Sequence, residues 1–382
     1  MPAPAASRRM KICFYNVTAS FIQGGLETYC WEAGRALARR GHQVSIVAGL
    51  GGEARNSELE LLRFPFRREQ SWPDLGTRFR RLMERASFAR HSLAHLVSAC
   101  YDAVVVNKPF DFPILWQARR QGLAAQTVFR SGGTEFYLGD GLFAGSIDHW
   151  LSTSRYNAAQ VEARYQRRVR VVHNGVDVDH FRAMPRDTQL RQNLGLPGDA
   201  RVIASVGRLV GWKGLRVILE SLPGLPPDVH YLIVGEGTEE ARLRQQAGQI
   251  GVGERVHFCG RVAHDQLPQT LAQADILVQP SLGEESFGIT LVEAMACALP
   301  VLASRQGGMT EIVLPGVTGE LLPPGEVEAW RASLAQLLQQ PDRMRAMGAA
   351  GRERAVSEFT WAANAATLER LLQQGPMPCA AS

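Results

Sequence analysis

Lys11-Ile12-Cys13-Phe14-Tyr15-Asn16-Val17 is followed by a loop at Phe21–Gly25 and by Leu26–Arg40, whose apolar residues recur near helical spacing. Gly41 and the apolar run Gln43–Ala48 come next. An apolar run, a glycine-bearing loop, an amphipathic helix closed by a C′ glycine and a second apolar run are the parts of a βαβ unit. Outward from this unit the alternation recurs. Strands are expected at Ala103–Val106, Gln126–Arg130, Trp150–Ser154 and Arg170–His173, while Leu50–Arg90 reads as mixed loop and basic helix. A second series starts at Arg201–Val206 and continues through the loop Gly207–Gly214, the helix Leu215–Leu222 and the strand His230–Val234. The helix Glu239–Ile250 follows, then strands at Val256–Cys259, Asp275–Val278 and Val301–Ser304, and Thr360–Gln374 is again helical. Such alternation predicts an α/β fold of two Rossmann-like, doubly wound domains, which bind ligands at the carboxyl ends of their strands. The polar stretch Ala183–Ala200, with Pro185 and Pro197, is the expected linker, so the domains are placed at 1–185 and 186–357.

Composition narrows the class. The chain has 382 residues, 45% hydrophobic and 21% charged, ordinary for a globular protein with sizeable cores. No stretch approaches the roughly 18 apolar residues of a membrane span. The start, Met1–Arg9, lacks an apolar leader segment, which points to the cytoplasm. Cys13, Cys30, Cys100, Cys259, Cys297 and Cys379 are scattered, without zinc spacing, and most sit in apolar surroundings and read as small buried hydrophobes. The net charge of +5 is unevenly shared. Residues 1–190 hold 26 Lys and Arg against 17 Asp and Glu, whereas the remainder holds 16 against 20. A basic first half suits an anionic surface or substrate. Phe64, Phe66 and Trp72 among the arginines suggest docking of that half on anionic lipid, at the inner face of the membrane. No nucleic-acid reading motif accompanies the arginines.

The stretch from Pro280 to Ala296 carries the chemistry. A strand ends at Gln279-Pro280, an acidic loop follows, and a helix starts near Gly288. Amides of Phe287, Gly288 and Ile289 at the helix start can donate to a phosphate. Glu293, one turn inside, can accept the hydroxyls of a ribose, and Glu285 in the loop those of a second sugar. Arg208 and Lys213 bracket the loop after the strand Arg201–Val206, so their charges can converge on a diphosphate and stabilise it as it leaves. The spacing is not that of a P-loop, because Trp212 replaces the second glycine.

Taken together, these residues resemble the retaining glycosyltransferases of family 4, which have the GT-B fold: two Rossmann-like domains facing a central cleft. The landmarks are Gly24-Gly25-Leu26-Glu27, His173-Asn174-Gly175-Val176-Asp177, Gly207-Arg208, Lys213-Gly214, Gly235-Glu236-Gly237, Glu285 to Glu293 and Gly307-Gly308. The resemblance implies that Arg208, Lys213 and Glu285 are the catalytic residues. Arg208 and Lys213 would bind the donor diphosphate together with Gly24, Gly25, Gly207 and Gly235. Glu285 would hold the donor sugar and Glu293 the ribose. The segment Ser286, Phe287, Gly288 and Ile289 would present amides, and backbone near Val262 would read the base. It further implies a nucleotide-sugar donor, no metal or other cofactor, retained configuration, and a C-terminal helix, 358–382, that crosses back to the first domain. The acceptor is expected to be a lipid-linked or envelope glycan, as in lipopolysaccharide or polysaccharide assembly.

The sequence also departs from the family. A histidine common after the strand Gln126–Arg130 is missing, and Gly132 is the nearest equivalent. Arg130 and Glu135 are the candidates to replace it on the acceptor side. The missing histidine also keeps open a non-catalytic sugar-nucleotide-binding protein of the same fold. Ala298 stands where a glycine is usual, at a left-handed helix cap. Asp177-Val178-Asp179 spells a metal-binding Asp-x-Asp, but its place beside Asn174-Gly175 predicts a turn. His42, His149, His173 and His257 read as hydrogen-bonded structural residues.

Overall fold

Apolar runs free of polar alternation can be buried on both faces only in parallel sheets covered by helices. The computed structural model, which describes residues 8–22, 24–51 and 58–375, contains two such sheets. The first is built from β1 (Lys11–Tyr15), β2 (Gln43–Gly49), β3 (Glu60–Phe64), β4 (Ala103–Val106), β5 (Gln126–Ser131), β6 (His149–Ser152) and β7 (Arg170–Val171). Its order is β3-β2-β1-β4-β5-β6-β7, and every pair is parallel. The second consists of β8 (Arg201–Val206), β9 (Val229–Val234), β10 (Val256–Gly260), β11 (Ile276–Gln279), β12 (Val301–Ser304) and β13 (Gly319–Leu322). Its order is β10-β9-β8-β11-β12-β13, again parallel throughout. The winding direction reverses between β1 and β4 in one sheet and between β8 and β11 in the other. These are the switch points at which loops part and leave room for a ligand.

The chain divides into Met1–Gly175 with Trp361–Ser382, and Val176–Thr360. The first division falls earlier than residue 185 because the chain joins the second core at once. Val176 and Phe181 are buried there, the Val176 amide donates to the Phe359 carbonyl at 2.8 Å, and Arg352 Nη1 donates to the Phe181 carbonyl at 2.6 Å. The helix Trp361–Gln374 packs on Gly25–Arg39 within the first unit: Trp361 meets Tyr29, and Glu369 pairs with Arg40. The helix expected at 358–382 thus starts later, because Glu358 ends the preceding helix Pro341–Glu358 and Phe359 and Thr360 stay with the second unit; residues 376–382, with Cys379, lie outside the described residues.

The stretch Leu50–Arg90, expected as mixed loop and basic helix, holds β3 and most of a 22-residue helix, Thr77–Ser98. Its arginines masked the helical period because one of them points inward. Arg85 is buried and donates from Nη1 to both carboxylate oxygens of buried Asp111, at 2.8 and 2.7 Å. The minor sequence motifs resolve into structural roles. Asp177 Oδ1 accepts the amides of Asp179 and His180, both at 3.1 Å, which makes it a turn residue. His149 bonds Gln126, His173 bonds the Thr153 carbonyl, His257 bonds His230, and His42 Nδ1 accepts the Met10 amide. Cys13, Cys30 and Cys297 are buried, and burial pushes the thiols of Cys30 and Cys297 up to about 12; Cys259 is half-buried and Cys100 exposed. Ala298 has φ +59°, a left-handed position that costs a residue with a Cβ about 1 kcal/mol.

Candidate active site

Three loops meet at the carboxyl ends of β8, β11 and β12, held together by close backbone contacts, by the Gln306 side chain and by the Lys213–Glu285 pair. The loop after β8 turns at Gly211–Lys213 and ends at Gly214, φ +67°, where an added Cβ would stand 2.0 Å from the Pro280 carbonyl oxygen. The Trp212 carbonyl accepts the amides of Leu282 and Gly283 at 2.7 and 3.0 Å, which ties this loop to the acidic loop after β11. From β12, Gln306 Nε2 donates to the carbonyls of Ser281 and Gly283 at 2.5 and 2.8 Å, and the Gly308 amide donates to the Glu285 carbonyl at 2.7 Å. A Cβ on Gly307 would lie 2.3 Å from the Glu285 oxygen, and one on Gly308 2.3 Å from that of Ser286. Only glycine permits backbones to approach this closely.

This frame brings Lys213 and Glu285 together. Lys213 Nζ donates to Glu285 Oε1 and lies 4.8 Å from the centre of the Trp212 ring; Ser281 Oγ donates to the same carboxylate oxygen at 3.0 Å. Arg208 is exposed on the same loop and belongs to no ion pair among the described residues. The sequence assigns Lys213 to a diphosphate and Glu285 to a sugar, and the structure pairs the two charges with each other. A diphosphate therefore has one cation ready, Arg208, and a second that must be shared with or released by Glu285.

Gly288, φ +109°, caps the helix Ile289–Ala296, whose first amides have no intrahelical carbonyl to bond. The Phe287 ring is buried in the second core against Phe359, so this residue has only its backbone to offer a ligand. Glu293, 3% exposed, sits one turn into the helix, and its Oε1 is 2.7 Å from His264 Nε2. His264 was not singled out in the sequence. Its signal was its place two residues past Val262, in the loop expected to lie by the base. Val262 itself packs on the edge of the core.

The glycines separate by cause. A Cβ on Gly235, φ +135°, would lie 1.9 Å from the Gly207 carbonyl oxygen, so its glycine is required by packing against the β8 loop. An added Cβ on Gly207, φ +149°, would stand 3.8 Å from Lys213 Nζ, an ordinary contact. Gly24 caps the helix Gly25–Arg39, where a Cβ would press on the Glu27 carboxylate at 2.7 Å. An added Cβ on Gly25 meets no described atom within 4 Å.

The two acceptor-side candidates are not neighbours. Arg130 is buried without a carboxylate. It donates to Asn174 Oδ1 and lies 3.9 Å from the centre of the Tyr29 ring; burial lowers its pKa to about 10, against the pull of Tyr29 and Cys30. Glu135 instead lines a pocket of about 460 Å³ with Arg78, Arg81, Phe110 and Thr134. Burial opposes its ionisation, but Lys108 at 3.0 Å and Arg81 at 3.2 Å overcome this and hold its carboxyl below the usual range. At Gly132 a Cβ would lie 2.5 Å from Leu26 Cδ2, so a histidine there would have to displace Leu26. Among the described residues no group of three or more His, Cys, Asp or Glu could hold a metal ion.

Two parallel doubly wound units, with a basic loop and an acidic loop at one switch point, define a class seen in known proteins. The chain matches the Glycosyltransferase Family 4 pattern over residues 23–180 and the Glycosyl transferases group 1 pattern over residues 186–354. It belongs to glycosyltransferase family 4. It is 37% identical over 208 residues to a GDP-mannose-dependent alpha-(1-6)-phosphatidylinositol monomannoside mannosyltransferase of Mycolicibacterium smegmatis. That match covers 52% of this chain and 54% of the relative, so it spans about half of each. A phosphatidyl-myo-inositol mannosyltransferase of Mycobacterium leprae is 29% identical across 95% of both chains. In fold the chain resembles sucrose-phosphate synthase of Thermosynechococcus elongatus, with TM-score 0.81 and 24% identity over 96% of this chain and 99% of the other. It also resembles Anabaena HepE in complex with UDP and glucose, with TM-score 0.78 and 23% identity over 96% and 100%. These likenesses establish the GT-B type of domain for each unit.

Proposed function

We propose that the protein is a retaining glycosyltransferase that moves a hexose from a nucleotide-sugar to a hydroxyl of a lipid-linked acceptor in envelope glycan assembly. The observation that carries this reading is the meeting of Lys213, Glu285 and the helix start at Gly288, with Arg208 unpaired beside them. Arg208 and Lys213 hold the diphosphate, the amides of Gly288 and Ile289 support its distal phosphate, Glu293 takes the ribose and Glu285 the sugar. In the transfer the bond from the anomeric carbon to the diphosphate oxygen breaks, and its electron pair stays on that oxygen. The acceptor oxygen bonds the same face of the sugar and passes its proton to the departing phosphate. Two fixed cations and oriented amides stabilise the developing charge, a role that needs no metal. The named relatives support GDP-mannose as donor and a phosphoinositide-type lipid as acceptor. The excess of arginine in the first unit supports work at an anionic membrane face, and no described helix is long and apolar enough to cross a membrane.

Lys213→Ala and Glu285→Ala, assayed with GDP-mannose for transfer and for donor hydrolysis, should each lose about 10²–10³-fold in kcat. Wild-type rates in both would move the site elsewhere. The crowding at Gly132 favours a second reading, a nucleotide-sugar-binding protein without catalysis. Thermal stabilisation by GDP or UDP with no donor turned over would select it.

A further inference from the structure

Only three large apolar side chains among the described residues are more than 60% exposed: Leu138 at 99%, Leu142 at 82% and Leu75 at 70%. They are not scattered. Leu75 lines the 460 Å³ pocket of the first unit together with Phe136, two residues before Leu138. Tyr137 stacks on Phe110 in the wall of the same pocket, with ring centres 4.8 Å apart, and Phe143, next to Leu142, meets half-exposed Trp116 at 5.7 Å. The leucines ride on a rigid support. Arg164 Nη2 donates to the Tyr137 carbonyl at 2.9 Å and pairs with buried Asp140, which also accepts the Tyr165 hydroxyl at 2.8 Å. Gly139, φ +92°, lets the tip turn. A loop so firmly anchored that still shows leucines to water is shaped for another medium, since isolated exposed leucines are ordinary but a grouped set is not.

The charges around the tip say which medium. Asp140, Asp148 and Glu135 are all neutralised by arginine or lysine partners. Arg78 in the pocket, Arg120 over the Trp116 ring, and Arg167 and Arg168 after the helix Arg155–Tyr165 belong to no ion pair among the described residues. The edge is thus apolar at its tip and cationic around it. Phe64, Phe66 and Trp72, expected from the sequence to meet lipid, are otherwise engaged. Phe64 and Phe66 pack on the first core, and Trp72 is held at 4.4 Å by Arg67.

We propose that Leu138, Leu142 and Leu75 form a wedge that enters an anionic phospholipid bilayer, with Arg78, Arg120, Arg167 and Arg168 meeting the headgroups. This rests on the reading of a membrane-bound acceptor and names the surface that reaches it. The test is flotation of the full chain with vesicles of phosphatidylcholine, with and without phosphatidylglycerol, at low and high salt. The wild type should float with the anionic vesicles, less so at high salt. Leu138→Asp with Leu142→Asp should weaken this on the order of a hundredfold, since each buried leucine accounts for roughly a factor of ten or more. The variant's melting temperature and its stabilisation by GDP should match the wild type. A wild type that ignores anionic vesicles overturns the membrane reading and the wedge together. A double variant that floats as well as the wild type overturns the wedge alone. So does one that turns a dimer into a monomer with lipid binding intact, because the leucines would then face a second copy.

Discussion

The two units place their loops at equivalent ends of equivalent sheets but fix them by different means. In the second unit the loops after β8, β11 and β12 are fixed mainly through main chain, by backbone hydrogen bonds, by Gln306 reaching two carbonyls and by glycines whose missing Cβ leaves room for a neighbouring carbonyl, with Lys213–Glu285 as the one ion pair between them among the described residues. In the first, the corresponding region is held by side-chain charges far apart in sequence: Arg85 on Asp111, Lys108 and Arg81 on Glu135, and Arg164 on Asp140. A backbone lock fixes one geometry and admits few residue types, whereas a charge lock can be redrawn by substituting both partners. The same scaffold can thus hold a constant donor chemistry on one unit and a changeable surface on the other.

The sharpest way to break this contrast is the buried pair of the first unit. Asp111→Ala should destabilise the protein by about 3–5 kcal/mol, because the Arg85 charge is left buried and unpaired. Adding Arg85→Met should restore most of that loss. Denaturant unfolding of the single and double variants measures both, and no recovery in the double variant would refute the redrawable lock. In the second unit, Gly235→Ala should cost about 3 kcal/mol, from the clash with the Gly207 carbonyl and the positive φ. No single side-chain change elsewhere should rescue it, since the obstacle is main chain. A cost under about 1 kcal/mol in the same unfolding assay would show that the β8 loop yields.

The smallest effect tests a side-chain pair between neighbouring strands of the second unit's sheet, His230 on β9 and His257 on β10. Burial pushes His257 down to about 4, with His230 adding to the fall, and burial also lowers His230. Both fold with pKa values below those of the unfolded chain, so their contribution is complete above about pH 6.5 and is lost as pH falls toward 4. Partial exposure limits the change to about 1–2 kcal/mol. Melting curves between pH 7 and pH 4.5 should show His257→Gln less sensitive to acid than the wild type, and equal slopes would remove the pair from the account.

What the sequence made legible follows the same division. β1, β4, β8 and β12 were readable as short apolar runs, and the glycines at the second switch point came from the family resemblance, whose landmarks a backbone lock keeps at fixed spacing. Gly207, Gly214, Gly288, Gly307 and Gly308 cannot move relative to the strands that carry them. From Leu50 to Arg90 a basic helix was legible but β3 and the helix bounds were not, because the helix buries an arginine, and the partners Asp111 and Glu135 lie too distant in sequence to be paired by inspection. His264 escaped for a similar reason: its bond to Glu293 joins a loop and a helix that meet only in three dimensions. The mutual pairing of Lys213 and Glu285 was also unforeseen, since residue types alone tell which charges a site holds but not whether they meet.

The helix Trp361–Gln374 completes the first unit although it is encoded after the whole of the second. While the chain emerges from the ribosome, the surface formed by Tyr29 and the helix around it has no cover until residues 361–374 are released. Val176–Thr360, continuous in sequence, can mature without waiting, so the later-made half is the first able to finish. The protein's birth order and its folding order thus run in opposite directions.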